Sequence, residues 1–211
     1  MEQYDKNNLY LLCDGIAERD GDLKNIITTF EYPPLWMRPN SFATLVLIIL
    51  EQQVSLASAY AAFKKLIEKI EFITPEKILA LSDAELRTCY FSRQKIAYVR
   101  GLATAILNNQ INLKALEQQT DSSVRTQLKT LKGIGDWTVD IYLIHALRRL
   151  DVFPIGDLAL VSAMKQVKSL PATTTKTELL AIGESWRPYR TVATLLLWHY
   201  YLQKRGIKTT Y

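Results

Sequence analysis

Residues 128–157, LKTLKGIGDWTVDIYLIHALRRLDVFPIGD, decide how the rest of this 211-residue chain is read. Leu128 and Leu131 end an apolar-periodic segment. Gly133-Ile134-Gly135 predicts a turn too tight for large side chains, and from Asp136 the helical period restarts with Trp137, Ile141, Ile144 and Leu147. Two glycines around one aliphatic residue let successive backbone N–H groups face outward at the start of the next helix. Such a donor set suits a phosphate oxygen. The loop Asp151-Val152-Phe153-Pro154-Ile155-Gly156 follows, and Asp157 opens a third helical stretch over 158–167. A turn of this kind also joins many ordinary helix pairs, so alone it does not separate packing from phosphate binding.

Outward from this stretch, almost every segment predicts helix. Residues 8–17 and 23–30 are helical, separated by the polar run 18–22 and stopped by Tyr32-Pro33-Pro34. Ser41 is an N-cap for an apolar helix over 42–54, and 55–70 continues with Leu56, Ala59, Tyr60, Phe63, Leu66 and Ile67. Thr74-Pro75 joins an N-cap to proline at the first helical position. Ser82 with Glu85 and Thr175 with Glu178 have capping-box spacing. Residues 92–108 are amphipathic, 113–118 form a short helix, Asp121 or Ser122 caps the first helix of the hairpin, and Pro188 starts a last helix running to 203. Strand-period alternation and repeats are absent. The expectation is an all-α fold of about ten helices.

Composition sets outer bounds. The chain is 48% hydrophobic and 22% charged, enough to bury a core as one unit or two small lobes. A net charge of +5 with pI near 9.1 fits a polyanionic partner without demanding one. Cys13 and Cys89 provide neither a disulfide framework nor four thiolates for an iron–sulfur cluster. With His145 and His199 the only histidines, a His/Cys metal site is not expected. The first twelve residues have no signal-peptide pattern, and the apolar run 42–50 is about half a membrane span. A soluble intracellular protein is expected.

The hairpin, the Gly/Pro-containing loop and Asp157 together resemble the helix-hairpin-helix DNA glycosylases, in which such a loop leads to a catalytic aspartate. GIGDWT followed by DVFPIGD is most similar to their bacterial alkylpurine branch, 3-methyladenine DNA glycosylase II. Residues 48–59, IILEQQVSLASA, resemble the family segment where a turn presents a residue that wedges into the base stack. Residues 184–190, ESWRPYR, with LLLWHY at 195–200, resemble its C-terminal W-x-P-aromatic-R block. These blocks run from 41 to 201 in the family's order. The compact helical form, without the N-terminal β-domain of larger bacterial members, is expected.

The resemblance implies two helical lobes with the active-site cleft between them. One would be 41–149, ending in the hairpin 121–149, and the other 1–40 plus 150–211. Asp157 would be the catalytic carboxylate. It would stabilise the oxocarbenium-like sugar of glycosidic cleavage and orient a water, whereas Asp151 would be structural. Asp136 and Asp140 read as dipole-favourable or solvent-facing residues. Trp137 and Tyr189, and after them Tyr142 and Trp186, would stack on a flipped base; a cationic alkylpurine gains from an aromatic face. Trp137 stands where strand-cutting members carry a Schiff-base lysine, which implies a monofunctional enzyme.

DNA contacts would come from the Gly133 and Gly135 amides, Thr138 and Lys132. Gln53 would be the wedge, with Gln52 beside it, where some members have leucine. Carbonyls of Lys129, Leu131 and Ile134 would be candidates for a monovalent cation (Na or K), with no other cofactor. The expected activity is removal of 3-methyladenine- and 7-methylguanine-type bases from damaged duplex DNA, leaving an abasic site, by a monomer acting in the bacterial cytoplasm at the nucleoid. Glycosylases for deaminated or oxidised bases and a non-catalytic DNA-binding hairpin module are the alternatives.

Overall fold

The structure, a computed structural model, describes residues 2–207. Among these it is all-α, and its one extended pairing is an isolated antiparallel bridge between Gln3 and Arg149. In chain order the helices are α1 (Leu9–Ala17), α2 (Gly21–Phe30), α3 (Phe42–Glu51), α4 (Leu56–Ile70), α5 (Pro75–Ala80), α6 (Asp83–Thr88) and α7 (Arg93–Leu107). They continue with α8 (Leu113–Leu116), α9 (Asp121–Leu128), α10 (Asp136–His145), α11 (Leu158–Val167), α12 (Lys176–Glu184) and α13 (Arg190–Lys204). None is long and apolar enough to cross a membrane.

Contacts divide the chain into two units. One comprises Met1–Met37 and Leu143–Tyr211, the other Arg38–Tyr142. Both boundaries come a few residues earlier than the expected 40/41 and 149/150, and the second falls inside α10. In the Arg38–Tyr142 unit, α3 packs on α4 and α7, and α7 also on α5 and α6. Ser41 caps α3 by accepting the Thr44 N–H, and from Thr44 to Glu51 every residue of the helix is buried. A helix apolar on all sides is a central one. Thr74 and Pro75 open α5, and Ser82 with Glu85 forms a complete capping box on α6.

In the other unit, α13 is the central helix and packs on α1, α2 and α11. Its residues Thr191 to His199 are all buried. Tyr4 is fully buried and donates its hydroxyl to the Ile144 carbonyl at 2.9 Å. Asp20 caps α2 and also takes Lys168 Nζ at 2.6 Å and Trp186 Nε1 at 2.7 Å. Burial alone would raise the Asp20 pKa, but these two donors outweigh it and hold the carboxyl below its usual range.

Four local readings are corrected. The α3 helix ends at Glu51 rather than at 54, because Gln52 leaves the helical region at ψ 121° and Gln53 then turns into the left-handed region at φ 58°. Thr120, in extended conformation, caps α9 with its hydroxyl on the Ser123 N–H, in place of Asp121 or Ser122. Pro188 lies before α13, which starts at Arg190, and its peptide bond with Arg187 is cis. The described residues form thirteen helices where about ten were expected.

Candidate functional site

The hairpin consists of α9, the turn 129–135 and the start of α10. Gly133 has φ +86°, and a Cβ there would lie 2.2 Å from the Tyr98 ring. Backbone and packing both require glycine at this position. Gly135 is exposed and an added Cβ would meet nothing within 4 Å, so its need for glycine is not steric inside the protein. Between them Ile134 is buried and its N–H donates to the Leu131 carbonyl at 3.1 Å. Lys132, just before the turn's glycines, is exposed.

The turn after α3 is held against this hairpin. Gln52 Nε2 donates to the Gly133 carbonyl at 2.8 Å and to Thr138 Oγ1 at 2.9 Å. Thr138 is 2% exposed. Both are therefore corrected from DNA-contact candidates to an internal clamp on the hairpin. Two more contacts fix the end of α3. Arg38 pairs with both oxygens of buried Glu51 at 2.9 and 2.7 Å, and Lys95 Nζ donates to the Leu50 carbonyl at 2.7 Å. Burial lowers the Lys95 pKa. Gln53 alone of the glutamine pair is exposed, at the tip of the turn.

The acidic residues of α10 are tied to cations of α9 and the turn. Asp136 takes Lys129 Nζ at 2.8 Å and Arg125 Nη1 at 3.3 Å. Its pKa is lowered, first by the Lys129 bond and then by the charges of Lys129 and Arg125. Asp140 is 7% exposed and takes Arg125 Nη2 at 2.6 Å. Burial raises its pKa despite that partner. Asp140 is thus not solvent-facing, because it sits in the α9–α10 seam. These three ion pairs offset the carboxylate charge beside the glycine turn.

Asp157 is the N-cap of α11, with backbone in the extended region. Its Oδ1 accepts the Leu160 N–H at 2.8 Å and the Trp198 Nε1–H at 3.0 Å. One donor comes from its own helix and the other from α13, so two elements converge on the same carboxylate oxygen. Trp198 lies parallel to His145, ring centroids 5.5 Å apart. The His145 Nδ1 lies 2.7 Å from the Trp36 carbonyl; a carbonyl only accepts, so this nitrogen carries the proton. Sequence reading gave Trp198 and His145 no role. Asp157 and Trp198 are 41 residues apart, a pairing no local pattern encodes.

Asp151 is structural, as the resemblance implies. Arg190 Nε and Nη2 grip its two oxygens at 2.7 and 3.0 Å, and Arg187 Nη1 adds a contact at 2.7 Å. Of the four aromatic candidates, two are core residues. Trp186 is 1% exposed, bonded to Asp20 and edge-on to Phe153. Tyr142 is fully buried with its hydroxyl on Asn40 Oδ1 at 2.6 Å. Their packing leaves no accessible face for a base, which corrects both. Trp137 and Tyr189 are half-buried. Arg19 lies 5.7 Å from the Tyr189 ring centroid, so a cationic base on the same face would have to displace it.

Among the described residues no cluster of three or more His, Cys, Asp or Glu could hold a metal. The carbonyls of Lys129, Leu131 and Ile134 lie in the turn 129–135, where the Leu131 carbonyl accepts the Ile134 N–H.

The sequence profile of the HhH-GPD superfamily base excision DNA repair proteins matches residues 46–188, and the chain belongs to that superfamily. DNA-3-methyladenine glycosylase 1 of Schizosaccharomyces pombe is 32% identical over 188 residues, 87% of this chain and 82% of that one. A putative DNA-3-methyladenine glycosylase of Bacillus subtilis is 28% identical over 201 residues, 92% of this chain and 69% of that one. The solved structure of the S. pombe 3-methyladenine DNA glycosylase in complex with abasic DNA superposes with a TM-score of 0.84 at 27% identity, covering 94% of this chain and 99% of that one. The all-α fold is the HhH-GPD fold.

Proposed function

We propose that this protein is a monofunctional DNA glycosylase that hydrolyses the N-glycosidic bond of N-alkylated purines in duplex DNA, leaving an abasic site. The observation that carries the reading is Asp157, oriented by the Leu160 and Trp198 N–H groups at the start of α11 in a base-excision fold. The names of the similar proteins support alkylated adenine as the substrate class.

In the proposed reaction the bond between C1′ and the purine nitrogen breaks, and its electron pair leaves with the purine. An N-alkylated purine carries positive charge, so that pair neutralises it and no protein acid is needed. The sugar becomes oxocarbenium-like, and the fixed Asp157 carboxylate stabilises the developing charge. A water adds its oxygen to C1′ and gives up a proton to the carboxylate or to solvent. Free base and an abasic sugar result. Cutting the backbone as well would need an amine nucleophile, and Trp137 supplies none.

Phosphates would be held by the N–H groups of the 133–135 turn with exposed Lys132 nearby, contacts that position DNA without reading its sequence. Gln53 would enter the base stack; glutamine can also hydrogen-bond to the orphaned partner base, which an apolar wedge cannot. Trp137 and Tyr189 would stack on the extruded base. The protein would act as a monomer, with at most an alkali cation on the hairpin carbonyls.

The test is incubation with duplex DNA carrying N-methylpurines, reading released base by chromatography and strand breaks on a gel. Release of methylpurines, with breaks appearing only after alkali, is expected. No release, or breaks without alkali, would overturn the reading.

A further inference from the structure

Leu158 is 85% exposed, the most exposed large apolar side chain among the described residues. It is the first residue of α11, directly after Asp157. The core stripe of this helix is Leu160, Ala163 and Met164. Leu158 is offset from Leu160 by two residues, about 200° around the helix, and so faces away from that stripe. Side chains on a helix lean toward its N-terminus, so a residue in the first position projects over the open end, where Asp157 stands. On the other flank, Gly156 is exposed and has no side chain. The first turn of a helix favours acidic and small polar residues, and a bare leucine contributes nothing to this fold.

Resting on the glycosylase reading above, we infer that Leu158 is a positioning residue. On docking of the damaged strand it packs against the C–H face of the deoxyribose at the reacting nucleotide and closes the Asp157 carboxylate off from bulk water. The occupant follows from chemistry. The reaction places a sugar against the carboxylate, and a deoxyribose offers an apolar face of the size a leucine covers. Water exclusion there strengthens the attraction between the carboxylate and the developing cation, which is weak while solvent screens it.

The test compares wild type, Leu158→Ala and Leu158→Met, with Leu11→Ala as a control at another leucine, 74% exposed. Three quantities are read: melting temperature, affinity for duplex DNA carrying an abasic-site analogue, and single-turnover release of methylpurine. Because Leu158 is exposed, no melting temperature should move. Leu158→Ala should slow release by about 10-fold with a much smaller loss of affinity, while methionine restores the rate and Leu11→Ala matches wild type. A Leu158→Ala rate within about twofold of wild type overturns the inference alone. So does a loss of affinity that accounts for the whole rate change, since Leu158 would then be a plain adhesion contact. Absence of release by wild type would instead overturn the glycosylase reading on which it rests.

Discussion

Three Gly–Asp steps stand at helix starts, Gly21-Asp22 at α2, Gly135-Asp136 at α10 and Gly156-Asp157 at α11, and the last two put the same residue pair to opposite uses. Asp136 is the first residue inside its helix, whereas Asp157 is one position earlier, as the cap. Asp136 is held by charged partners, Lys129 and Arg125. Asp157 accepts from the uncharged N–H groups of Leu160 and Trp198. An aspartate tied into ion pairs leaves the neighbouring amides acceptable to a phosphate. In the proposed reaction a carboxylate oriented by N–H dipoles faces the developing sugar cation. Ion pairs mark the Asp136 carboxylate and N–H donors that of Asp157, a difference the dipeptide itself does not carry.

The largest structural effect should come from the hairpin's glycines. Gly133→Ala must adopt a left-handed backbone and displace the Tyr98 ring, at a combined cost of about 2–4 kcal/mol. Gly135→Ala should stay within about 0.5 kcal/mol. Chemical denaturation of both variants checks this, and equal losses would contradict the packing account. Next is Trp198→Phe, which keeps a ring against His145 but removes the donor to Asp157. Base release should slow by about 10-fold, with stability lowered by about 1 kcal/mol. An unchanged single-turnover rate would show that Asp157 does not depend on α13 for its orientation.

Gln52→Ala leaves the Gly133 carbonyl and the Thr138 hydroxyl without their bonds to Gln52, and should cost about 1–2 kcal/mol by denaturation. Gln53→Ala, at an exposed tip, should leave stability nearly unchanged and weaken binding to abasic duplex. If Gln52→Ala were the more damaging to binding at unchanged stability, the assignment of clamp and wedge would be reversed.

The smallest effect concerns Asp136. Because its folded pKa is lowered, its contribution is present above the ordinary aspartate value of about 4 and is lost as pH falls through the lowered one. The wild-type advantage over Asp136→Asn should be under about 1 kcal/mol at neutral pH, since the pair is exposed, and should vanish in acid and high salt. Denaturation at two pH values reads it out, and an advantage that grows in acid would contradict the sign.

What the sequence displays depends on how local the cause is. The glycine turn, the Ser82 and Thr175 capping boxes and the aspartate at the head of α11 rest on residues within a few positions of each other, and all are legible. The inward turn of Gln52, the burial of Asp140 against Arg125 and the Trp198 donor depend on partners between 15 and 86 residues away. Adjacent glutamines with identical chemistry look alike until the backbone sends one in and one out. Trp186 and Tyr142 show the complementary limit. An aromatic in a family-like block is still a large apolar side chain, and core packing claims it unless a surface is left open.

The account rests on Asp157 as the carboxylate that acts on the sugar. The most direct measurement is single-turnover release of methylpurine by Asp157→Asn beside Asp136→Asn, after both variants are shown to fold and to bind abasic duplex. Asparagine at 157 retains an oxygen able to cap α11 but loses the charge, so release should fall by at least about 100-fold while Asp136→Asn stays near wild type. Release by Asp157→Asn at the wild-type rate would contradict the account, because the charge that distinguishes the Gly–Asp steps of α10 and α11 would have no part in the chemistry.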